Sequence, residues 1–349
     1  MTTIVFIVAA IVVVLLYLGF IWSAPDMSHF DHPEEPLVIG ADEISDQHHE
    51  VVKMLADYHD QPTAKSIHAG RKRFEKVFAQ EVDIEPVPVD VAGVPGEWVL
   101  AEGADPDVRV LYIHGGAFMV GSAKTHRFLT AEISKRTGAS VLAIDYRMLP
   151  EFKITQCHED VRIAYQWILA NGPGIQGPAS KLYVAGDSAG GNLTLAVIAW
   201  ARNKGLRAAD GAIAFAPATD STMSSPSWKE NIETDHFLGP SIGRLVKIPG
   251  FIRKLAGRIQ SGRSANDPEL SPLLGNLANL PPTLIQVSRH EMLYGDAQRY
   301  ANKARHEGSE VILQVWPTLV HVFQGFNNLP ETDDALDKVA NFIKEQNRR

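Results

Sequence analysis

Val184-Ala185-Gly186-Asp187-Ser188-Ala189-Gly190-Gly191-Asn192 decides how this chain is read. An apolar run, Leu182 to Ala185, leads into the pattern Gly-x-Ser-x-Gly. The stretch that follows, Asn192 to Trp200, is rich in Leu, Ala, Val and Ile and long enough for a buried helix. Strand, sharp turn and helix in that order is the setting in which the pentapeptide presents a nucleophilic serine. Such a turn strains the serine backbone, so the positions around it must be small. Gly186, Ala189, Gly190 and Gly191 meet that demand. Ser188 then stands at a strand end and at a helix N-terminus, whose dipole favours developing negative charge. A glycine-rich turn with a capping serine would read the same over five residues, and the rest of the chain separates the two.

A serine hydroxyl becomes a nucleophile when a base takes its proton and a third group holds that base in the right tautomer. In the α/β-hydrolase fold the chain order is serine, acid, histidine. His321, within Thr318-Leu319-Val320-His321-Val322-Phe323, falls after the last apolar strand and before the terminal helix, where the base belongs. The acid belongs after the preceding strand, Thr283 to Val287, and two carboxylates follow it, Glu291 and Asp296. Glu291 is nearer the strand end and is preferred. Asp296 reads as an N-cap or first-turn residue of the next helix and is held in reserve. The oxyanion needs backbone donors, and His114-Gly115-Gly116-Ala117-Phe118 follows a strand with glycines that let N–H groups approach a substrate. The expected oxyanion hole is built from the N–H groups of Gly115, Gly116 and Ala189.

Around these residues the pattern alternates. Two antiparallel strands are expected within Ile84 to Leu100, then strands at Val108–His114, Ala139–Asp145, Gly211–Pro217, Thr283–Val287 and Glu310–Val315. Helices are expected at Lys124–Thr137, stopped by Gly138, and at Ile154–Ala170, Asp296–Glu307 and Asp334–Gln346. Asn171 to Pro178 reads as a loop. Asp42 to Phe78 reads as two helices broken near Gln61-Pro62. Asp220 to Leu280 interrupts the alternation with a polar, Ser- and Pro-rich insertion holding one helical piece, Ile242 to Ile259. The expected fold is α/β: an α/β-hydrolase with a mostly parallel eight-stranded sheet flanked by helices, a helical cap and an N-terminal transmembrane helix. Residues 1–23 form the anchor, 24–80 a linker and N-terminal cap helices, and 81–349 the catalytic domain with its cap insertion at about 220–280.

The chain has 349 residues, 45% of them apolar and 21% charged, with a net charge of −8 and no long basic run. That composition is an ordinary enzyme's and argues against nucleic acid as a partner. The single cysteine, Cys157, excludes an internal disulfide and a thiolate metal cluster, and the thirteen histidines fall in no metal-ligand spacing. No cofactor and no metal are expected. Ile4 to Trp22 is nineteen positions without a charge. As a helix it spans roughly 28 Å at about 1.5 Å per residue, enough for the hydrocarbon core, with Tyr17 and Trp22 as interfacial anchors. The length of the run, the missing Lys or Arg before it and the missing Ala-x-Ala after it favour an uncleaved single-pass anchor over a signal peptide. The first basic residue is Lys53, so the side of the membrane is left unassigned.

His114-Gly-Gly-Ala-Phe118, Asp145-Tyr146-Arg147 with Pro150-Glu151, Gly186-Asp-Ser-Ala-Gly-Gly191 and the late His321 resemble the hormone-sensitive-lipase-like esterases, also called bacterial lipolytic family IV. The similarity runs from about Val108 to the C-terminus. It implies hydrolysis of short to medium acyl esters without a cofactor, a triad of Ser188, Glu291 and His321, a structural role for the Asp-Tyr-Arg and Pro-Glu stretch, a cap that sets acyl preference, and homodimers formed through the last strand. Ala117 stands where the family has a third glycine, and Glu-Met-Leu where it more often has Asp-Pro-Leu. A membrane segment is shared with the arylacetamide deacetylases, anchored relatives. The reading is a membrane-anchored serine carboxylesterase acting on a small-molecule ester. The alternatives are an amide, lactone or lysophospholipid hydrolase with the same triad, and a ligand receptor of this fold, which would lack the histidine.

Overall fold

The central strands are continuous apolar runs because the sheet is covered on both faces. Val110 to Ile113, Val141 to Ile144, Leu182 to Ala185 and Ala212 to Phe215 are buried throughout. The computed structural model describes residues 25–31, 36–39 and 44–349. Its main sheet has nine strands: β1 (Leu37–Val38), β2 (Val87–Val91), β3 (Val94–Val99), β4 (Asp105–Ile113), β5 (Ala139–Ile144), β6 (Lys181–Asp187), β7 (Gly211–Phe215), β8 (Thr283–Ser288) and β9 (Val311–Trp316). Their order is β1-β9-β8-β7-β6-β4-β5-β3-β2. β2 and β3 form an antiparallel hairpin, β3 is antiparallel to β5, and all other neighbours are parallel.

The helices are α1 (Asp46–His59), α2 (Ile67–Phe78), α3 (Arg127–Thr137), α4 (Ile154–Ile168), α5 (Ala189–Asn203), α6 (Ser227–Glu230), α7 (Leu238–Val246), α8 (Gly250–Ser261), α9 (Tyr294–His306) and α10 (Pro330–Asn347). Successive strand residues point to opposite faces, and two cores result. Leu111, Ile113, Leu182 and Val184 pack with α4, α5 and α9. Val110, Tyr112, Tyr183 and Ala185 pack with α3 and α10. This is the α/β-hydrolase arrangement, and it points the C-terminal ends of β4, β6, β8 and β9 to one edge, where the site lies.

Three expectations need correction. The sheet has nine strands, since Leu37–Val38, in a stretch read as irregular linker, pairs in parallel with Gln314 and Val315 of β9. Two residues are too few to show an alternation, yet they satisfy backbone groups that a bare edge leaves open. The same pairing occupies part of the edge through which a last-strand dimer would form. The single helix expected over Ile242–Ile259 is two, α7 and α8, because Pro249 lacks the N–H that continuity needs. The loop after α4 holds a small hairpin, Asn171–Gly172 with Ile175–Gln176. Gly138 ends α3 in the left-handed conformation, φ 69°, as expected. The run Ile4 to Trp22 lies outside the described residues, and among those residues no helix is long and apolar enough to cross a membrane.

Arg71 of α2 ties the N-terminal helices to the loops beside the site. Its guanidinium donates to both Glu151 oxygens at 2.7 and 3.0 Å, to Leu149 O and, through Nε, to Met119 O, each of these at 2.8 Å. Asp145 Oδ1 accepts from Ala123 N at 2.7 Å, Tyr146 donates to His114 O at 2.9 Å, and Arg147 forks onto the buried Asp160. The Asp-Tyr-Arg and Pro-Glu stretch thus braces the loop of His114 to Phe118.

Candidate active site

The turn between β6 and α5 is as strained as the pentapeptide requires. Ser188 sits at φ 52°, ψ −114°. Its N–H donates to Phe215 O at 2.8 Å. A Cβ at Gly190 would lie 1.9 Å from Ile113 O, and one at Gly186 would lie 2.6 Å from Ile113 O and from Gly190 O. No side chain fits at either position, so the two glycines of the motif hold the backbone of the turn against β4.

Three side chains from three strand ends converge at Ser188. His321 Nε2 lies 3.0 Å from Ser188 Oγ, and His321 Nδ1 lies 2.5 Å from Glu291 Oε2. The other Glu291 oxygen accepts from Ser288 N at 2.6 Å. Ser288 Oγ in turn accepts from Leu319 N at 2.8 Å and so joins the acid loop to the histidine loop. Glu291 and His321 are both buried. Burial pulls the imidazole down, but the touching Glu291 carboxylate outweighs it and holds His321 above its ordinary value of 6.5. Burial raises the Glu291 carboxyl, and the imidazole partly offsets that. A base must be neutral to accept a proton. The expected outcome is an acid limb in kcat/KM centred above pH 6.5, with activity lost as pH falls through it. A profile measured on wild type that stays flat to below that pH would contradict the relay.

Asp296, the reserve acid, lies elsewhere. It is in the first turn of α9, buried, and accepts from Thr219 N, Asp220 N, Ser225 Oγ and Trp228 Nε1 at 2.9–3.1 Å. Burial, with Asp220 beside it, pushes its carboxyl up to about 7. It fastens the segment after β7 to α9 and makes no contact with His321.

The loop His114 to Phe118 needs a correction too. Gly115 spends its N–H on Asp187 Oδ1 at 3.0 Å, and a Cβ there would strike Asp187 Oδ2 at 2.0 Å. Asp187 is buried and also accepts from Tyr112 Oη at 2.8 Å and faces His126 Nε2 at 3.4 Å. Burial would raise this carboxyl, but His126 and Tyr112 outweigh it and hold it below its ordinary value. An ionised Asp187 thus anchors the loop from beneath. Among the described residues the amides of Gly116, Ala117 and Ala189 donate to no acceptor, and Gly116 and Ala117 line the cleft with Ser188. Gly116 sits at φ 110° and a Cβ on it would meet Val120 O at 2.1 Å, so glycine is required there. His114 caps the arrangement, with Nδ1 2.7 Å from Gly115 O and its ring stacked on Tyr146 at 4.3 Å.

The cleft over Ser188 is walled by Tyr58 of α1, Phe74 of α2, Phe128, Phe237, Ile242 of α7 and Phe326. Sequence reasoning missed the residues between β7 and α7 that reach the acid loop. Asn231 Nδ2 donates to Arg289 O and Glu291 O at 2.7 and 2.8 Å, and Thr234 Oγ1 to His290 O at 3.1 Å. Asp235 accepts from Met292 N at 2.9 Å and from Leu238 N at 2.8 Å. No motif marks their hold on the acid loop, since the partners there are main-chain groups distant in sequence. Among the described residues no three or more His, Cys, Asp or Glu side chains are placed to hold a metal ion.

Comparison with known proteins agrees with this fold. The profile of the alpha/beta hydrolase fold family matches residues 110–325. An esterase of Acinetobacter venetianus is 34% identical over 269 residues, 76% of this chain and 84% of its own. The acetyl-hydrolase of Streptomyces hygroscopicus is 31% identical over 257 residues, 73% of this chain and 81% of its own. The crystal structure of an esterase from the bacterial hormone-sensitive lipase family superposes with a TM-score of 0.78 at 31% identity, covering 87% of this chain and 99% of that one. The chain belongs to the α/β-hydrolase family and, within it, is a carboxylic ester hydrolase of the hormone-sensitive-lipase-like group.

Proposed function

We propose that the protein hydrolyses short- to medium-chain acyl esters through a Ser188-His321-Glu291 triad and an acyl-enzyme intermediate. The observation that carries this reading is the unbroken run of contacts from Ser188 Oγ to His321 Nε2 at 3.0 Å and from His321 Nδ1 to Glu291 Oε2 at 2.5 Å. Ser188 Oγ attacks the ester carbonyl as its proton passes to His321 Nε2, and Glu291 stabilises the imidazolium. The oxyanion rests on the N–H groups of Gly116, Ala117 and Ala189, a set that differs from the expected one by exchange of Gly115 for Ala117. Collapse of the intermediate returns the proton from His321 to the leaving alkoxide. Water then repeats the sequence against the acyl-enzyme and frees the acid and Ser188.

The aromatic walls suit an apolar acyl chain. A similar chain, that of EstE5 at 35% identity and a TM-score of 0.75, has a crystal structure soaked with p-nitrophenyl butyrate. Initial rates on p-nitrophenyl esters from acetate to palmitate, with Ser188→Ala in parallel, test the reading. A serine-dependent maximum at short to medium chains is expected. A maximum at palmitate would overturn the chain-length assignment, and no serine-dependent turnover on any ester would overturn the reading as a whole.

The uncharged run Ile4 to Trp22 supports a second part of the proposal, that the chain is held in a membrane by a single span. The full chain is then expected to stay in the membrane pellet after an alkaline carbonate wash, and its release would refute the anchor.

A further inference from the structure

α8 is built inside out. At about 100° per residue, Phe251, Ile252, Leu255 and Ile259 fall within a stripe roughly 100° wide, and all four are exposed, Ile259 by 76%. The side turned to the protein carries Ser261, buried, and Arg253 and Lys254, half-buried. A surface helix ordinarily turns its apolar stripe to the core and its charges to water. Leu245 and Ile248, also exposed, continue the apolar surface across the α7–α8 corner. Together these six are half of the twelve large apolar residues that stand exposed among the described residues. A concentration of that kind marks a surface that meets something.

The charge of the segment says what it meets. From His236 to Asn266 there is no Asp or Glu, while Arg244, Lys247, Arg253, Lys254, Arg258 and Arg263 give six positive charges in a chain of net −8. Arg244, Lys247 and Arg258 are exposed beside the apolar stripe. Apolar side chains flanked by cations, on a helix side with no acid, match an interface of acyl chains beneath anionic headgroups. A second copy of the chain on this face would bring like charges together across an isologous contact. The nineteen uncharged positions Ile4 to Trp22 are a second feature of this chain suited to lipid.

We propose that the α7–α8 corner is a docking surface for an anionic lipid bilayer. Leu238 and Ile242, seven and three residues before Leu245 and so on the same stripe of α7, line the cleft over Ser188. Docking therefore sets the wall of the cleft against the interface.

The test uses the full chain carrying Ile259→Cys labelled with an environment-sensitive fluorophore. The native Cys157 is buried, so the label reports one place. The protein is reconstituted with vesicles of phosphatidylcholine alone or mixed with phosphatidylserine, each with a shallow spin-labelled quencher lipid. Quenching is expected in the mixed vesicles and much less in phosphatidylcholine, and it should weaken at 1 M salt, where screening falls to about 3 Å. Each cation near an anionic surface contributes roughly fivefold in binding, so Arg244→Glu, Lys247→Glu and Arg258→Glu combined should cost about a hundredfold. The same triple variant should hydrolyse a water-soluble ester at the wild-type rate, which separates lost docking from misfolding. A wet, unquenched label in both vesicles would overturn the proposal, as would equal quenching in both. A label shielded without lipid would also overturn it, in favour of a second copy if shielding depends on protein concentration and of another segment of the chain if it does not.

Discussion

Ser188→Ala is expected to lower kcat by about a million-fold, the scale on which removal of a triad serine acts, with little change in KM. The apolar walls that bind the acyl chain are untouched, and the oxyanion donors remain. What disappears is the atom that bonds to the carbonyl, so the residual rate is that of water in the same cleft. The backbone stays in its strained state, φ 52°, because the glycines at 186 and 190 and the packing of β4 impose it. His321 loses one partner at Nε2, a cost of about 1 kcal/mol. The thermal midpoint should therefore move by only a few degrees. Steady-state rates and a melting curve on the same preparation check both halves, and turnover within a hundredfold of wild type would remove Ser188 from the mechanism.

Glu291→Gln is expected to lower kcat by about ten-thousand-fold, as amide replacement of a triad carboxylate does elsewhere. The reason is visible in the two acceptor bonds of Glu291. One oxygen takes the Ser288 N–H at 2.6 Å and the other takes His321 Nδ1–H at 2.5 Å. A glutamine has one oxygen to serve both. If that oxygen keeps Ser288, its NH2 faces Nδ1 and drives the imidazole proton to Nε2, where it can no longer accept from Ser188. The acid limb of the pH profile should also move down, since burial then acts on His321 without the carboxylate to offset it. Asp296→Asn is the companion measurement. It should lower the melting temperature, because the amide cannot satisfy four donors, and change kcat by less than tenfold. The reverse pattern would make Asp296 the acid.

The positions of Ser188 and His321 were legible because the pattern that marks them is bound to local backbone. A strained strand-to-helix turn needs small residues at fixed offsets from Ser188, and the order of serine, acid and histidine limits where the other two can fall. Glu291 could be separated from Asp296 in part, since only one of them opens a helix. Gly115 could not be judged this way. Whether a backbone N–H is available depends on a tertiary partner, and the partner, Asp187, lies 72 residues away with its own support from Tyr112 and His126. The two-residue strand β1 lacked the length to show a period. The break at Pro249 was readable from proline chemistry, but apolar spacing on both sides of it reads as one helix. Asn231, Thr234 and Asp235 were invisible for a plainer reason. They grip main-chain atoms, which every residue has.

That grip has a consequence for how such enzymes diversify. Asn231, Thr234 and Asp235 belong to the insertion that shapes the cleft, yet they hold the loop that aims Glu291. Grafting the insertion of a relative onto this chain would change the acyl pocket and unfasten the acid in one stroke. Only chimeras that keep these three side chains in place should shift preference between esters while keeping their turnover. Variation in what the enzyme accepts is, in this architecture, tethered to the part that makes it work.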